Sequence, residues 1–400
     1  MFFDQKIHPL NFDRADRLTV LDDVVELSGP GIQLRIACAA IADGCLRLRF
    51  ENTRAAEPCQ YSDAVLPAYR AGPAVMPRQA REGVTFGTTA GQIELKPAHL
   101  RLEMAGVSLA TVADGIGSCG EALLLNFALI GVEGCYGFGE RTRHLNKLGD
   151  SANFLTVDVV AVFRHTYDRD DYDPTYVSIP LAILKIGERF LGLFFDNAGQ
   201  AIMDAGKSRP GEFWYQSFGG PTDLYLLAGP TLRDVTRRYA ALTGRAPLPP
   251  LWALGYHQCR WGYQHEGEFR ELVERFAAAD LPVSALWYDI DYMDEYRLFT
   301  WDRVDFPDPA ALNRDLKAAG IRAVTIVDPG VKREPGYSVY DSGRAQDVFC
   351  KTASGREYVG KVWPGDTVFP DFTLEGARDW WGGWLADFMR DGAVDGVWLD

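Results

Sequence analysis

Four aspartates stand at the ends of apolar runs in the last third of the chain. Asp289 and Asp291 close VSALWYDID (283–291), Asp328 closes IRAVTIVD (321–328), and Asp400 closes VDGVWLD (394–400). Trp261, Trp287, Trp363 and Trp398 lie in or beside the same stretches. Carboxylates gathered on one rim suit either paired acid/base chemistry or a divalent cation. Indole faces next to them suit a sugar ring, whose C–H face packs on an aromatic while its hydroxyls reach the acids. Glycosidic bonds are cleaved by two carboxyl groups around an oxocarbenium-like transition state, so these residue types point first to a sugar hydrolase. A lone strand-end Asp often serves as a cap, and a tryptophan cluster is often core. Trp380, Trp381 and Trp384, at helical spacing, read as packing against the domain that carries the acids.

Other chemistries find less support. His257 and His265 are eight residues apart without a third ligand at metal spacing, so no zinc site is expected, and His257 reads as a strand-end hydrogen-bonding residue. The acids lack a calcium-loop signature. GCYGFGE (134–140) has neither Walker nor dinucleotide spacing, and no GxSxG elbow occurs. Cys259, between Gln258 and Arg260, has no His–Asn set to make it a nucleophile. No metal or cofactor is expected.

The elements that would position the acids follow from hydrophobic periodicity. After Thr231, TLRDVTRRYAALTG reads as a helix ending at Gly244, followed by the stiff linker APLPP (246–250). Strands at 251–257, 283–291, 321–328 and 394–400 then alternate with helices at 268–280, 309–320 and 374–392. Apolar strands alternating with amphipathic helices mean a parallel sheet of βαβ units, and in such folds ligands sit beyond the strand C-termini. That placement favours a site without choosing between a (β/α)8 barrel and an open sheet.

The first half of the chain is built differently. GIQLRIACAAI (31–41), CLRLRF (45–50), GQIELKPAHLRLEM (91–104) and EALLLNFALIGV (121–132) are short alternating or apolar runs broken by turns. In 178–197, Gly187-Glu188 splits two strands as a hairpin turn would. Many short punctuated strands argue for a β-sandwich. All ten tryptophans lie at or after Trp214, which marks the same change of texture.

With 47% hydrophobic and 24% charged residues, the chain has an ordinary globular composition. A net charge of −14 disfavours nucleic acid and anionic membrane surfaces as partners. No run of about 18 apolar residues marks a membrane helix, and MFFDQKIHPL lacks a secretory apolar core. Seven cysteines at scattered spacings read as reduced thiols, so a cytoplasmic location is expected.

Taken together, LWALGYHQCRWGY (251–263), WYDIDYMDEYRLFTWD (287–302), IVDPGV (326–331), KVWPGDTVFPDF (361–372) and DGVWLD (395–400) resemble glycoside hydrolase family 31, its α-glucosidase branch most of all. YGFGERTRHLNKLG (136–149) and YDPTYVSIPLAIL (172–184) resemble that family's N-terminal sandwich. The likeness is strong over about residues 130–400 and only general before that. It implies an α+β multidomain protein: an N-terminal β-sandwich (1–230), a helix and Pro-rich linker (231–250), and the first half of a (β/α)8 TIM barrel (251–400), truncated after the fourth strand.

The resemblance also implies roles. Asp400 matches the catalytic nucleophile and Asp289 the acid that binds the sugar before the scissile bond. Trp261, Ile326, Trp363 and Trp398 match residues lining that pocket. Asp291 and Asp328 are further candidates, and Asp158, in FLTVDVV, would be lent by a sandwich loop although its neighbours depart from the usual wording. The family retains anomeric configuration, which needs a second carboxyl about 5 to 5.5 Å away. In the family that acid/base, an Arg and a His come from later strands, so the chain is expected to be the N-terminal portion of a longer polypeptide and inactive alone. The expected substrate is a short α-linked gluco-oligosaccharide, and the expectation leaves room for a homo-oligomer. Alternatives are α-xylosidase or α-glucan transglycosylase action, or a non-catalytic carbohydrate-binding homologue.

Overall fold

The computed structural model describes residues 12–53, 64–141, 144–156 and 177–400. Contacts divide the chain into two units, Met1–Ala246 and Pro247–Asp400.

In the first unit, period-two alternation produces two antiparallel sheets. One runs in the order Arg17–Leu21, Val24–Gly29, Ile32–Ala42, Cys45–Asn52, Thr222–Gly229, Arg189–Asp196, Ser178–Ile186, Val132–Gly139. The other joins Ser151–Phe154, Ala201–Ala205, Glu212–Ser217 and Ala122–Ala128 to a meander running back from Val107–Cys119 to Arg78–Ala80. Ile32, Leu34, Ile36, Leu46, Leu48 and Phe50 of the first sheet share one apolar core with Val84, Phe86, Ile93, Leu95, Leu123 and Leu125 of the second. Alternating side chains meeting between two sheets is the sandwich arrangement.

Thr222–Gly229 is buried at every position because its sheet is covered on both faces. Leu224 and Leu226 face the sandwich core, while Tyr225 and Leu227 pack beneath helix Leu232–Thr243 through Val235 and Leu242. That helix begins where Thr231 accepts a hydrogen bond from the Asp234 backbone at 3.2 Å. The hairpin expected at Gly187 forms, with Ile186 opposite Arg189 and Leu181 opposite Phe194. Gly187 sits at φ +57°, the left-handed region that this two-residue turn requires. Burial pushes the thiols of Cys38, Cys45 and Cys135 up to about 12, which leaves them protonated and unreactive.

In the second unit four strands lie parallel in chain order: His257–Gln258, Ala285–Tyr288, Arg322–Ile326 and Gly396–Trp398. Helices Glu266–Ala278 and Pro309–Ala318 connect the first three, and Glu375–Gly392 precedes the fourth. The sequence expectation for the first strand needs correction. Residues 251–254 form a single 3₁₀ turn, and only His257–Gln258 pairs with its neighbour. Pro249 and Pro250 cannot donate to a ladder, and Leu251 and Leu254 remain exposed, so apolar character alone did not make a strand there.

Between the third and fourth strands the chain makes an excursion. It holds a three-stranded antiparallel sheet of Val331–Lys332, Gly365–Val368 and Gly360–Val362, and an unanticipated helix, Ser338–Ala345. The three tryptophans of the last helix pack on this excursion and on the loop carrying Phe299 rather than on the strands themselves. Trp380 and Trp384 both donate to Ser342, at 3.0 and 3.2 Å, and Trp381 meets Phe299 and Phe372 edge to face. No described helix is long and apolar enough to cross a membrane.

Candidate active site

Strand register brings the carboxylates together. Ile326 lies opposite Trp398, and the ladder continues one residue further where Val327 N–H donates to the Trp398 carbonyl at 2.8 Å. Asp328 and Asp400 each follow that pair by two residues, so they leave neighbouring strands at one level. Asp289 follows Tyr288, whose partner Thr325 is one residue before Ile326. Three acids therefore stand at the C-terminal ends of three consecutive strands.

Their electrostatics show the crowding. Asp328 is pushed up to about 6, first by burial and then by the charges of Asp400 and Asp289. Its Oδ1 is buried with no hydrogen-bond partner among the described residues. Asp289 is also held above the ordinary carboxylate range. Burial outweighs the hydrogen bond it accepts from Ile290 N–H at 2.8 Å, and Asp291 and Asp400 add repulsion. Asp291 accepts from the Tyr296 hydroxyl at 3.4 Å, while Asp400 is exposed. Among the described residues no three His, Cys, Asp or Glu side chains are arranged to hold a metal ion.

An aromatic row lines the same strands. Trp398 and Trp287 lie 5.7 Å apart, and Trp287 donates its indole N–H to His257 Nδ1 at 3.3 Å. An indole nitrogen only donates, so Nδ1 accepts and the proton sits on Nε2, which faces the Trp252 carbonyl at 3.2 Å. His257 is thus a positioning residue for Trp287, in keeping with its reading as a strand-end hydrogen-bonding group. Ile326 shares the face of Trp398 by strand alternation but is only 2% exposed, part of the core beneath the rim.

Trp261 and Trp363 form an exposed pair, 64% and 57% open, with ring centroids 6.1 Å apart. Both are tied to the stretches that carry the acids. Cys259, in the loop leading to Trp261, is held above the ordinary thiol range, first by burial and then by the charge of Asp289. Val362, adjacent to Trp363, lies so close to Gly330 that a Cβ there would stand 2.7 Å from Val362 Cγ2. Glycine at 330 therefore lets the hairpin tip fold over the turn that follows Asp328. Asp158 lies outside the described residues.

Residues behind the site escaped the sequence reading. Tyr292 donates to the Ile326 carbonyl at 2.8 Å, which ties the loop after the second strand to the end of the third. Asn313, fully buried, accepts from the Tyr288 hydroxyl at 2.6 Å and donates to the Gly392 carbonyl at 2.8 Å. A polar residue between Leu312 and Leu316 on the apolar face of a helix was the available signal.

Acids and indoles at the C-terminal ends of parallel βα strands, with an antiparallel sandwich in the same chain, define a class of barrel-borne carbohydrate enzymes. Two family models agree. The model described as the glycosyl hydrolase 31 N-terminal galactose mutarotase-like domain matches residues 35–204, and the one described as the glycosyl hydrolases family 31 TIM-barrel domain matches residues 246–400. The chain belongs to glycoside hydrolase family 31. It is 43% identical over 265 residues to alpha-glucosidase 2 of Bacillus thermoamyloliquefaciens, covering 66% of this chain and 33% of that protein. It is 36% identical over 264 residues to the alpha-glucosidase of Saccharolobus solfataricus, covering 66% and 37%. The chain therefore spans about a third of the length of these curated relatives. A family 31 dextranase of Flavobacterium johnsoniae bound to isomaltotriose superposes with a TM-score of 0.83 at 21% identity, covering 97% of this chain and 47% of that one. A family 31 alpha-xylosidase from a soil metagenome gives 0.75 at 18%, covering 96% and 57%. At these identities the structural likeness establishes the fold alone.

Proposed function

We propose that the whole protein is a retaining α-glucosidase that removes terminal α-linked glucose from short oligosaccharides by double displacement. The observation that carries this reading is the set of three mutually repelling carboxylates, Asp289, Asp328 and Asp400, on consecutive strand ends beside a tryptophan row. In the first step a carboxylate oxygen of Asp400 attacks the anomeric carbon, and the leaving alcohol takes a proton from a second carboxylic acid. In the second step water releases the glucosyl ester and returns that proton, so configuration is kept. A carboxylate oxygen at the end of a strand is a group able to form such an ester.

In this reading Asp289 holds sugar hydroxyls, and its charge favours the developing oxocarbenium ion. The aromatic faces of Trp261, Trp363 and Trp398, over the buried Ile326, shape the glucose pocket, with Asp291 and Asp328 at its polar edge. The reading places the enzyme in the cytoplasm and leaves room for a homo-oligomer. The relatives named alpha-glucosidase, at 43% and 36% identity, favour glucose over xylose as the sugar. Asp400→Ala in the full-length protein is expected to lower hydrolysis of 4-nitrophenyl α-glucoside by about 10³-fold or more. Turnover within tenfold of the parent removes Asp400 from the nucleophile role. Rates on maltose, isomaltose and an α-xyloside separate the glucosidase from its xylosidase alternative.

A further inference from the structure

The excursion between the third and fourth barrel strands carries a surface cavity of about 520 Å³ that the proposed glucosidase reaction does not use. Arg333, Arg344, Lys351 and Arg356 line it, together with the acids Asp347 and Glu357. Two of the cations are neutralised in place. Arg333 donates to Glu357 at 2.9 Å, and Lys351 pairs with Asp347, four residues before it. Among the described residues Arg344 and Arg356 have no carboxylate partner, and Arg356 Nε donates to the Ser354 hydroxyl at 3.3 Å. The lining thus keeps two uncompensated guanidinium groups in a chain whose net charge is −14.

That local reversal of sign suits an anion. A guanidinium offers a planar fork of donors that matches the oxygens of a phosphoryl group, and two such forks facing one cavity can hold its charge from two sides. The apolar part of the lining is fixed. Phe349 is 4% exposed, stacks on Tyr340 at 5.9 Å and 15°, and meets Trp380 edge to face at 5.7 Å. A rigid wall adds no ordering cost of its own on binding. The volume exceeds what a phosphate ion needs and falls within the range for small organic ligands.

We propose that this cavity binds a phosphoryl oxyanion, either free phosphate or the phosphate of a small phosphomonoester, held by Arg344 and Arg356. The test titrates the full-length protein calorimetrically with inorganic phosphate and with glucose 6-phosphate, in chloride-matched buffer of constant ionic strength. At least one ligand is expected to saturate at one per chain. The Arg344→Gln/Arg356→Gln double variant is expected to bind it at least tenfold more weakly, with hydrolysis of 4-nitrophenyl α-glucoside unchanged. Equal affinities identify the phosphoryl group alone as the ligand, and tighter glucose 6-phosphate binding identifies a sugar phosphate. Absence of saturation by both probes, or an affinity the double variant leaves intact, overturns the proposal. Both arginines are exposed, and a matching melting temperature shows that the variant folds.

Discussion

At the residue scale, Asp328 is the least comfortable group in the site. Its carboxyl binds a proton more tightly in the folded protein than in the unfolded chain, because burial and the charges of Asp400 and Asp289 oppose ionisation. The linkage sign follows. Stability rises as pH falls from about 6 towards the ordinary carboxylate value, and the cost of ionisation is fully present above 6. Asp328→Asn removes that cost. The variant is expected to be more stable than the parent at pH 7.5 by about 1 kcal/mol, once screening at this half-buried position is allowed for. The difference should shrink as pH falls to 4.5. Melting curves followed by circular dichroism at both pH values check this, and a variant less stable at pH 7.5 contradicts it. Asp289 contributes in the same direction, although the hydrogen bond from Ile290 offsets part of its burial.

At the element scale, the rim is held in register by groups behind it. Asn313 joins the second strand, through Tyr288, to the end of helix Glu375–Gly392, through the Gly392 carbonyl. Asn313→Ala leaves a buried hydroxyl and a buried carbonyl without this partner. A loss of about 2 to 4 kcal/mol in urea unfolding is expected, whereas a loss below 0.5 kcal/mol contradicts a structural role for this network. Elements with strong periodicity were legible in the sequence. The helices at 266–278, 309–318 and 375–392 and the hairpin at Gly187 form close to where their patterns placed them. The weaker patterns misled. LWALGYH looks like a strand, yet two prolines before it and Gly255 within it leave only its last residue paired. Ser338–Ala345 has little intrinsic helix preference, and it forms because Val339, Tyr340 and Gly343 are buried against neighbours distant in sequence. The acids were legible because strand ends announce themselves. Tyr292 and Asn313 were not, since their partners lie 34 and 79 residues away.

At the scale of the whole molecule, two units with different layer chemistry share one chain: a sandwich whose apolar residues alternate, and a parallel sheet whose apolar residues run continuously. Both match models of one family, and the rim of the parallel sheet holds every described acid to which a role is proposed here. The central claim is that Asp400 forms the glycosyl ester. It is tested most directly by treating the full-length protein with 5-fluoro-α-glucosyl fluoride, digesting it and locating the label by peptide mass spectrometry. A fluoroglucosyl adduct is expected on the peptide carrying Asp400, with α-glucose as the first product released from maltose. An adduct on another residue, or β-glucose as the first product, contradicts it.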